Sequence, residues 1–137
     1  MERTLTIFKP DSVAAGKAGA ILAHLEKEGF RVVGLRRTRL APEQARAFYA
    51  VHRERPFFQG LVTFMTEGPV VVAALERADA VAHLRKTMGA TDSKKAEAGT
   101  VRQLYGTDIE RNAIHGSDSA ENAAREIAFF FSGAELI

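Results

Sequence analysis

Apolar positions recur along this 137-residue chain with two different periods, and each change of period marks a change of element. Thr4-Leu5-Thr6-Ile7-Phe8-Lys9 has the composition of a strand and stops at Pro10, which has no N–H for a ladder. A strand over 4–9 is therefore expected, with Lys9 at its end. Ile21, Leu22 and Leu25 share one stripe, which predicts a helix over 17–28 closed by Gly29 in the left-handed region. A strand over 30–40 follows. Pro42 suits a first helical turn, and Ala45, Phe48, Tyr49 and His52 continue at helical spacing until Pro56 breaks the pattern, although Ala41 is a poor cap. Gly68-Pro69 introduces an unbroken apolar run over 70–75, the mark of a central strand buried on both faces. An amphipathic helix over 78–88 ends before Gly89, and residues 90–100 are loop-like. The apolar residues around His115 form a last short strand, and Ser119 caps a helix carrying Ala123, Ile127 and Phe130 on one side. Strand and helix thus alternate four times. That order suits two split βαβ units, an α+β fold with helices packed on a four-stranded antiparallel sheet.

The pattern fills the chain without repeat, linker or low-complexity tract, so one domain over 1–137 is expected. The apolar run over 70–75 is too short to cross a bilayer, and Met1-Glu2-Arg3 leads straight into strand sequence rather than the apolar core of a signal peptide. A soluble, cytoplasmic protein that needs no membrane is the expectation. The absence of cysteine excludes disulfides, thiol nucleophiles and thiolate-held zinc. Nineteen basic against seventeen acidic residues leave a net charge of +2, which does not demand nucleic acid as a partner. The densest basic stretch, Arg36-Arg37-Thr38-Arg39, reads as a solvated strand face.

Four histidines carry the candidate chemistry. His24 and His83 fit ordinary helix surfaces, with no glycine, carboxylate pair or loop boundary beside them. His52 admits two readings: a donor to a phosphate near the Pro56-Phe57 loop, or a helix-end histidine packed on an apolar face. His115 stands apart, because it lies within Asn112-Ala113-Ile114-His115-Gly116-Ser117-Asp118-Ser119. A nucleophilic histidine needs one ring nitrogen open to approach and the other held by a carboxylate or carbonyl. Glycine next to it removes a side chain that would block a bulky phosphate. No Walker A motif offers a backbone cradle, since Gly16-Lys17 is followed by Ala18 and position 11 is Asp11. No G-x-G-x-x-G, G-x-S-x-G or H-E-x-x-H pattern occurs either. A nucleotide would have to be held by side chains, with Phe57 as the platform for its base unless that ring packs into the core beside Phe58.

The octet around His115, together with Lys9-Pro10-Asp11, Arg55-Pro56-Phe57-Phe58 and Gly99-Thr100-Val101-Arg102, resembles the nucleoside diphosphate kinase family over nearly the whole chain. The resemblance implies a ferredoxin-like sandwich. It implies ping-pong transfer of the γ-phosphate of ATP or another nucleoside triphosphate to His115 and then to a nucleoside diphosphate. Mg²⁺ would be held by phosphate oxygens and water rather than by a protein metal site. In the roles so implied, Glu126 orients His115, Ser117 assists both, and Lys9 and Tyr49 complete the catalytic set. Lys9, His52, Phe57, Arg85, Thr91, Arg102 and Asn112 bind the nucleotide, the cations Lys9, Arg85 and Arg102 converging on His115. Strict strand alternation puts Asn112 on the face opposite His115, so its role rests on the resemblance alone. The family likeness also implies a homohexamer or homotetramer. The chain departs from the family pattern at Asp92-Ser93-Lys94-Lys95 and Ala98, which weakens that oligomeric inference more than the catalytic one. Two rival readings are an assembly protein that binds nucleotide or nucleic acid without turnover, and a histidine phosphocarrier charged by another protein.

Overall fold

The computed structural model describes residues 1–137. Four strands, β1 (Glu2–Phe8), β2 (Arg31–Thr38), β3 (Val70–Arg77) and β4 (Ile114–Gly116), form one antiparallel sheet in the order β2-β3-β1-β4. This is the ferredoxin-like α+β arrangement, and β3 is central, as its unbroken apolar run predicts. Alternation along the strands divides the core between the two sheet faces. Leu5, Ile7, Val70, Val72 and Ala74 pack with α3 (Pro42–Phe48), α4 (Phe58–Met65) and α7 (Ala120–Phe130). Phe8, Ala73, Leu75 and Ile114 pack with α1 (Pro10–Ala14), α2 (Ala18–Lys27), α5 (Ala80–Met88) and α6 (Val101–Tyr105). Both faces of the sheet are therefore covered, whereas a single covering layer of helices would have left one open.

Three helices, α1, α4 and α6, go beyond the alternating pattern. Pro10 ends the strand, as expected, but it also occupies the first position of α1, where a missing N–H costs nothing. In α4, Leu61, Val62, Phe64 and Met65 are nearly continuous in sequence, a run too short and too apolar to show a period. Thr100 opens α6 by accepting a hydrogen bond from Gln103 N, a capping signal inside a stretch expected to be loop. The helix expected to run from Pro42 toward Pro56 ends earlier, at Phe48, and a 3₁₀ turn over Ala50–His52 carries the chain on. The two cap assignments near the ends of helices agree with the structure. Gly29 has φ 91°, and Ser119 Oγ accepts from Asn122 N at 3.0 Å to start α7.

β4 is only three residues long, and its place is fixed by pairing Thr6 with Gly116, Ile7 with His115 and Phe8 with Ile114. Gly116 packs directly against α5. A Cβ built there would lie 2.5 Å from Met88 Sδ and 3.0 Å from Leu84 Cδ2. Helix-on-sheet packing thus gives the glycine beside the histidine a second reason, in addition to its reading as an opening for phosphate. Gly116→Ala should lower stability by about 1–3 kcal/mol, the usual cost of overpacking a tight core. Urea unfolding followed by circular dichroism measures this, and a midpoint equal to that of the wild type would show that α5 yields without strain.

Candidate active site

His115 lies at the middle of β4, on the sheet face that carries α3 and α7. Its ring meets those of Phe48 and Tyr49 edge-on, with centroids 5.4 Å and 5.9 Å away. The buried Ala123, Ile127 and Phe130 set the rotation of α7, and that rotation directs Glu126 toward β4. Glu126 Oε1 lies 2.7 Å from His115 Nε2 and accepts from Ser117 Oγ at 3.0 Å. Nε2–H is therefore the donor, and Nδ1 has no protein partner. Burial lowers the basicity of His115, while the Glu126 carboxylate opposes that shift. Burial wins, so the imidazole is neutral at neutral pH and keeps a lone pair on Nδ1.

A cavity of about 550 Å³ opens over His115. Every residue expected at the site lies on its wall except Ser117, which is buried behind it as a partner of Glu126. Lys9 follows β1, and its Nζ donates to Asn112 Oδ1 at 2.7 Å. Desolvation, with repulsion from Arg102 adding to it, pushes the Lys9 ammonium down to about 8. Arg102 on α6 donates to the carbonyls of Gly89 at 3.1 Å and Ile114 at 2.9 Å, while its buried Nε has no partner. Desolvation, and then Arg85, lower its pKa to about 10. Arg102 therefore ties α6 to β4 as well as facing the cavity, whereas Arg85 on α5 is exposed and makes only a long contact, 3.4 Å, to the Gly116 carbonyl. Tyr49 is also buried, with no partner for its hydroxyl, and burial raises its pKa so that the proton stays on. At the open end Phe57 is 51% exposed and stacks obliquely near His52, their centroids 5.5 Å apart. Phe57 is accordingly a rim residue, not a core neighbour of Phe58. His52 belongs to the same rim.

Asn112 corrects the alternation argument. It precedes β4 rather than lying within it, and Ala113 between them has φ 74°. The left-handed residue reverses the side-chain direction, so Asn112 and His115 both reach the cavity. Its amide also donates to Thr91 O at 2.9 Å and Ile109 O at 3.2 Å, binding two loops together. His24 and His83 lie away from the cavity, and His83 Nε2 pairs with Glu28 at 3.0 Å on the surface.

Comparison with known proteins accords with this geometry. A family model described as nucleoside diphosphate kinase matches residues 2–136. The chain belongs to the nucleoside diphosphate kinase family. These enzymes are phosphotransferases. A nucleoside diphosphate kinase of Acidiphilium cryptum is 58% identical over 136 residues, covering 99% of this chain and 97% of the relative. The crystal structure of the Aquifex aeolicus nucleoside diphosphate kinase superposes with a TM-score of 0.97 at 50% identity, covering 99% of each chain. The structure of a halophilic nucleoside diphosphate kinase from Halobacterium salinarum, in complex with CDP, gives a TM-score of 0.95 at 46% identity, over 99% of this chain and 91% of the other.

The cavity has further wall residues that the sequence did not single out: Val51, Leu61, Ile109, Glu110, Asn122 and Arg125. Ile109 is 65% exposed on the same cavity wall as Phe57, and only its position in a polar loop could have drawn notice. Asp118 stood within the octet without a role; it accepts from Asn122 Nδ2 at 2.6 Å, which helps keep it ionised at the rim.

Lys9 generates a prediction with two opposite signs. Above about pH 8 its folded-state charge is lost, so affinity for pyrophosphate, a phosphate-only probe, should fall. The unfolded chain keeps that charge until about pH 10.5, so the Lys9 contribution to folding stability should rise over the same interval. Calorimetric titration and urea unfolding across that range, each against Lys9→Met, separate the two trends. Pyrophosphate affinity that does not change through pH 8 would remove Lys9 from anion binding.

Proposed function

We propose that this protein moves the γ-phosphate of a nucleoside triphosphate, ATP among them, to a nucleoside diphosphate by a ping-pong route through phosphohistidine at His115. The observation that carries this reading is the division of labour on one ring: Nε2 is engaged by Glu126, while Nδ1 is neutral and unpartnered in a cavity lined by cations. The Nδ1 lone pair attacks the γ-phosphorus, the bond to the β-phosphate oxygen breaks, and the nucleoside diphosphate leaves. A second diphosphate enters the same cavity, and its terminal oxygen attacks phosphorus as the P–Nδ1 bond breaks. Glu126 stabilises the charge that develops on the ring and holds its tautomer, with Ser117 fixing the carboxylate. Lys9, Arg85 and Arg102 offset charge on the phosphate oxygens, and the unpartnered Tyr49 hydroxyl and Arg102 Nε are donors that a phosphate would satisfy. Asn112 and Lys9 bind the ribose hydroxyls, Thr91 adds a hydroxyl, and His52 and Phe57 hold the base end.

The donor set also fits Mg²⁺ brought in with the nucleotide. No group of three or more histidine or carboxylate ligands gathers anywhere in the chain, and Glu126 is committed to His115 and Ser117. Asp118 and Glu110 remain at the cavity wall, enough for an ion held mostly by phosphate oxygens and water. When bound, Mg²⁺ would neutralise charge between the β- and γ-phosphates. The reading extends to one cytoplasmic domain over 1–137 that assembles as a homohexamer or homotetramer, and no helix is long and apolar enough to cross a membrane. Nucleic acid is not required.

Incubation with γ-radiolabelled ATP and Mg²⁺ should give an acid-labile phosphoprotein that discharges when GDP is added. Labelling directly from free ATP excludes a phosphocarrier, and discharge excludes a mere binder. His115→Ala should abolish both steps with an unchanged circular dichroism spectrum. Glu126→Gln should slow them less severely, because the nucleophile remains. Wild-type turnover in the His115→Ala protein would place the nucleophile elsewhere.

The cavity's open end predicts tolerance of the base. Stacking on one aromatic ring is worth about 1–3 kcal/mol for any base, so Phe57→Ala should weaken every nucleotide together by roughly one to two powers of ten. Discharge rates with ADP, GDP, CDP and UDP decide this. A thousandfold preference for one diphosphate would reveal a base-specific contact and overturn the generalist reading.

A further inference from the structure

Asp11 belongs to the Lys9-Pro10-Asp11 stretch, yet it does not line the cavity and the proposed chemistry gives it no task. Ala113 also lies off the cavity wall, is fully buried, and holds a φ of 74° that a residue with a Cβ adopts only at a cost. It is the centre of a three-residue turn closed by Ile114 N, which donates to Asn112 O at 2.9 Å. This turn brings Asn112 to the same cavity as His115, where an unbroken strand would set them on opposite faces.

The groups that hold the turn come from the start of α1. Ala113 N–H donates to Asp11 Oδ2 at 3.1 Å. Ala113 O accepts from Lys9 N and from Ser12 Oγ, each at 2.8 Å. Two donors share the carbonyl, but Asp11 is the sole partner of the buried N–H. A buried amide left without an acceptor favours any rearrangement that restores one. Rotation of the peptide between Asn112 and Ala113 is the nearest such rearrangement, and it would also displace Asn112.

From this geometry we infer that Asp11 is a positioning residue for phosphoryl transfer: its carboxylate holds the left-handed backbone at Ala113, and so sets Asn112 and the Lys9 ammonium beside His115. Asn112 Oδ1 is the acceptor of Lys9 Nζ at 2.7 Å, so the turn and the buried cation move together. The inference rests on Lys9 and Asn112 being the nucleotide-binding residues proposed above.

The test is a double-mutant cycle between Asp11→Ala and Ala113→Gly, because glycine adopts the same φ without needing the latch. Asp11→Ala alone should raise KM for the nucleoside diphosphate and lower kcat/KM by roughly ten- to hundredfold, the scale of a small misplacement. In the Ala113→Gly background the same change should cost only about threefold or less. Asp11→Asn keeps an acceptor but loses the charge, so it should lie nearer wild type than Asp11→Ala does. Equal losses in both backgrounds, or Asp11→Asn falling as far as Asp11→Ala, would overturn the latch in favour of a charge effect. If Asp11→Ala does not fold alone, recovery of fold and activity in the double variant supports the inference, and failure to recover overturns it. Failure of the underlying reading shows separately, as wild-type protein whose nucleotide affinity is unchanged by Asn112→Ala.

Discussion

The contact between His115 Nε2 and Glu126 Oε1, 2.7 Å long, joins the shortest strand of the sheet to the helix that covers it, and most of the site's chemistry depends on it. A carboxylate inside a protein is costly unless its oxygens are occupied. Here Oε1 takes two donors, His115 and Ser117, and the Arg125 guanidinium lies 3.8 Å from Oε2. Because Glu126 consumes the Nε2 proton, the other ring nitrogen must be the one that carries a free lone pair. The same contact sets a competition over the ring's basicity. Burial lowers it, Glu126 raises it, and the net lowering leaves the ring neutral.

The cations create the opposing problem. Lys9 and Arg102 are both buried and both depressed in pKa, chiefly by desolvation, with repulsion from Arg102 adding to the shift of Lys9 and repulsion from Arg85 to that of Arg102. Neither pairs with a carboxylate within salt-bridge distance. They are held instead by neutral oxygens: Asn112 Oδ1 for Lys9, and the carbonyls of Gly89 and Ile114 for Arg102. Neutral acceptors keep the charge in place without cancelling it, which leaves it available to an anion. A salt bridge in the same place would stabilise the fold more and bind phosphate less. The Tyr49 hydroxyl and Arg102 Nε, which have no protein partner, fit the same trade, since they are polar groups that a ligand would complete.

Long periodic segments were legible in the sequence because their pattern is the cause of their burial. The four strands, α2, α5 and α7 follow from the spacing of apolar residues, and the cap residues Gly29 and Ser119 act as their chemistry requires. The short helices were not legible, since five residues in α6 cannot show a period and α4 is apolar on nearly every side. His115, Glu126 and the cations could be named because a nucleophile, an orienting carboxylate and phosphate ligands are distinct residue types in a recognisable motif. Asn112 misled the alternation argument for a backbone reason. Nothing about an alanine announces a positive φ, and only the donors and acceptors of α1, distant in sequence, show what sustains it.

Seen as a whole, the cavity runs from a buried, charged end to an exposed mouth that carries apolar side chains among charged ones. His115, Lys9 and Arg102 lie at the first, fixed by hydrogen bonds to Glu126 on α7, to Asn112 in the turn before β4 and to Ile114 O on β4. Val51, Phe57 and Ile109, between 51% and 73% exposed, lie at the second. Such a gradient places the geometric demand on the phosphates, where transfer in line needs positions fixed to a fraction of an ångström. It leaves the far end of a ligand to contacts that depend on a flat apolar surface more than on the pattern of its edge. On the proposed reading, an enzyme that equilibrates phosphate among many nucleotides needs that allotment. Rigid recognition of a base would restrict its substrates, whereas loose recognition of the phosphates would let water compete for the phosphoryl group. The fold meets both needs by building the reacting end on the sheet and the mouth on the 3₁₀ turn at Ala50–His52 and the loop before β4.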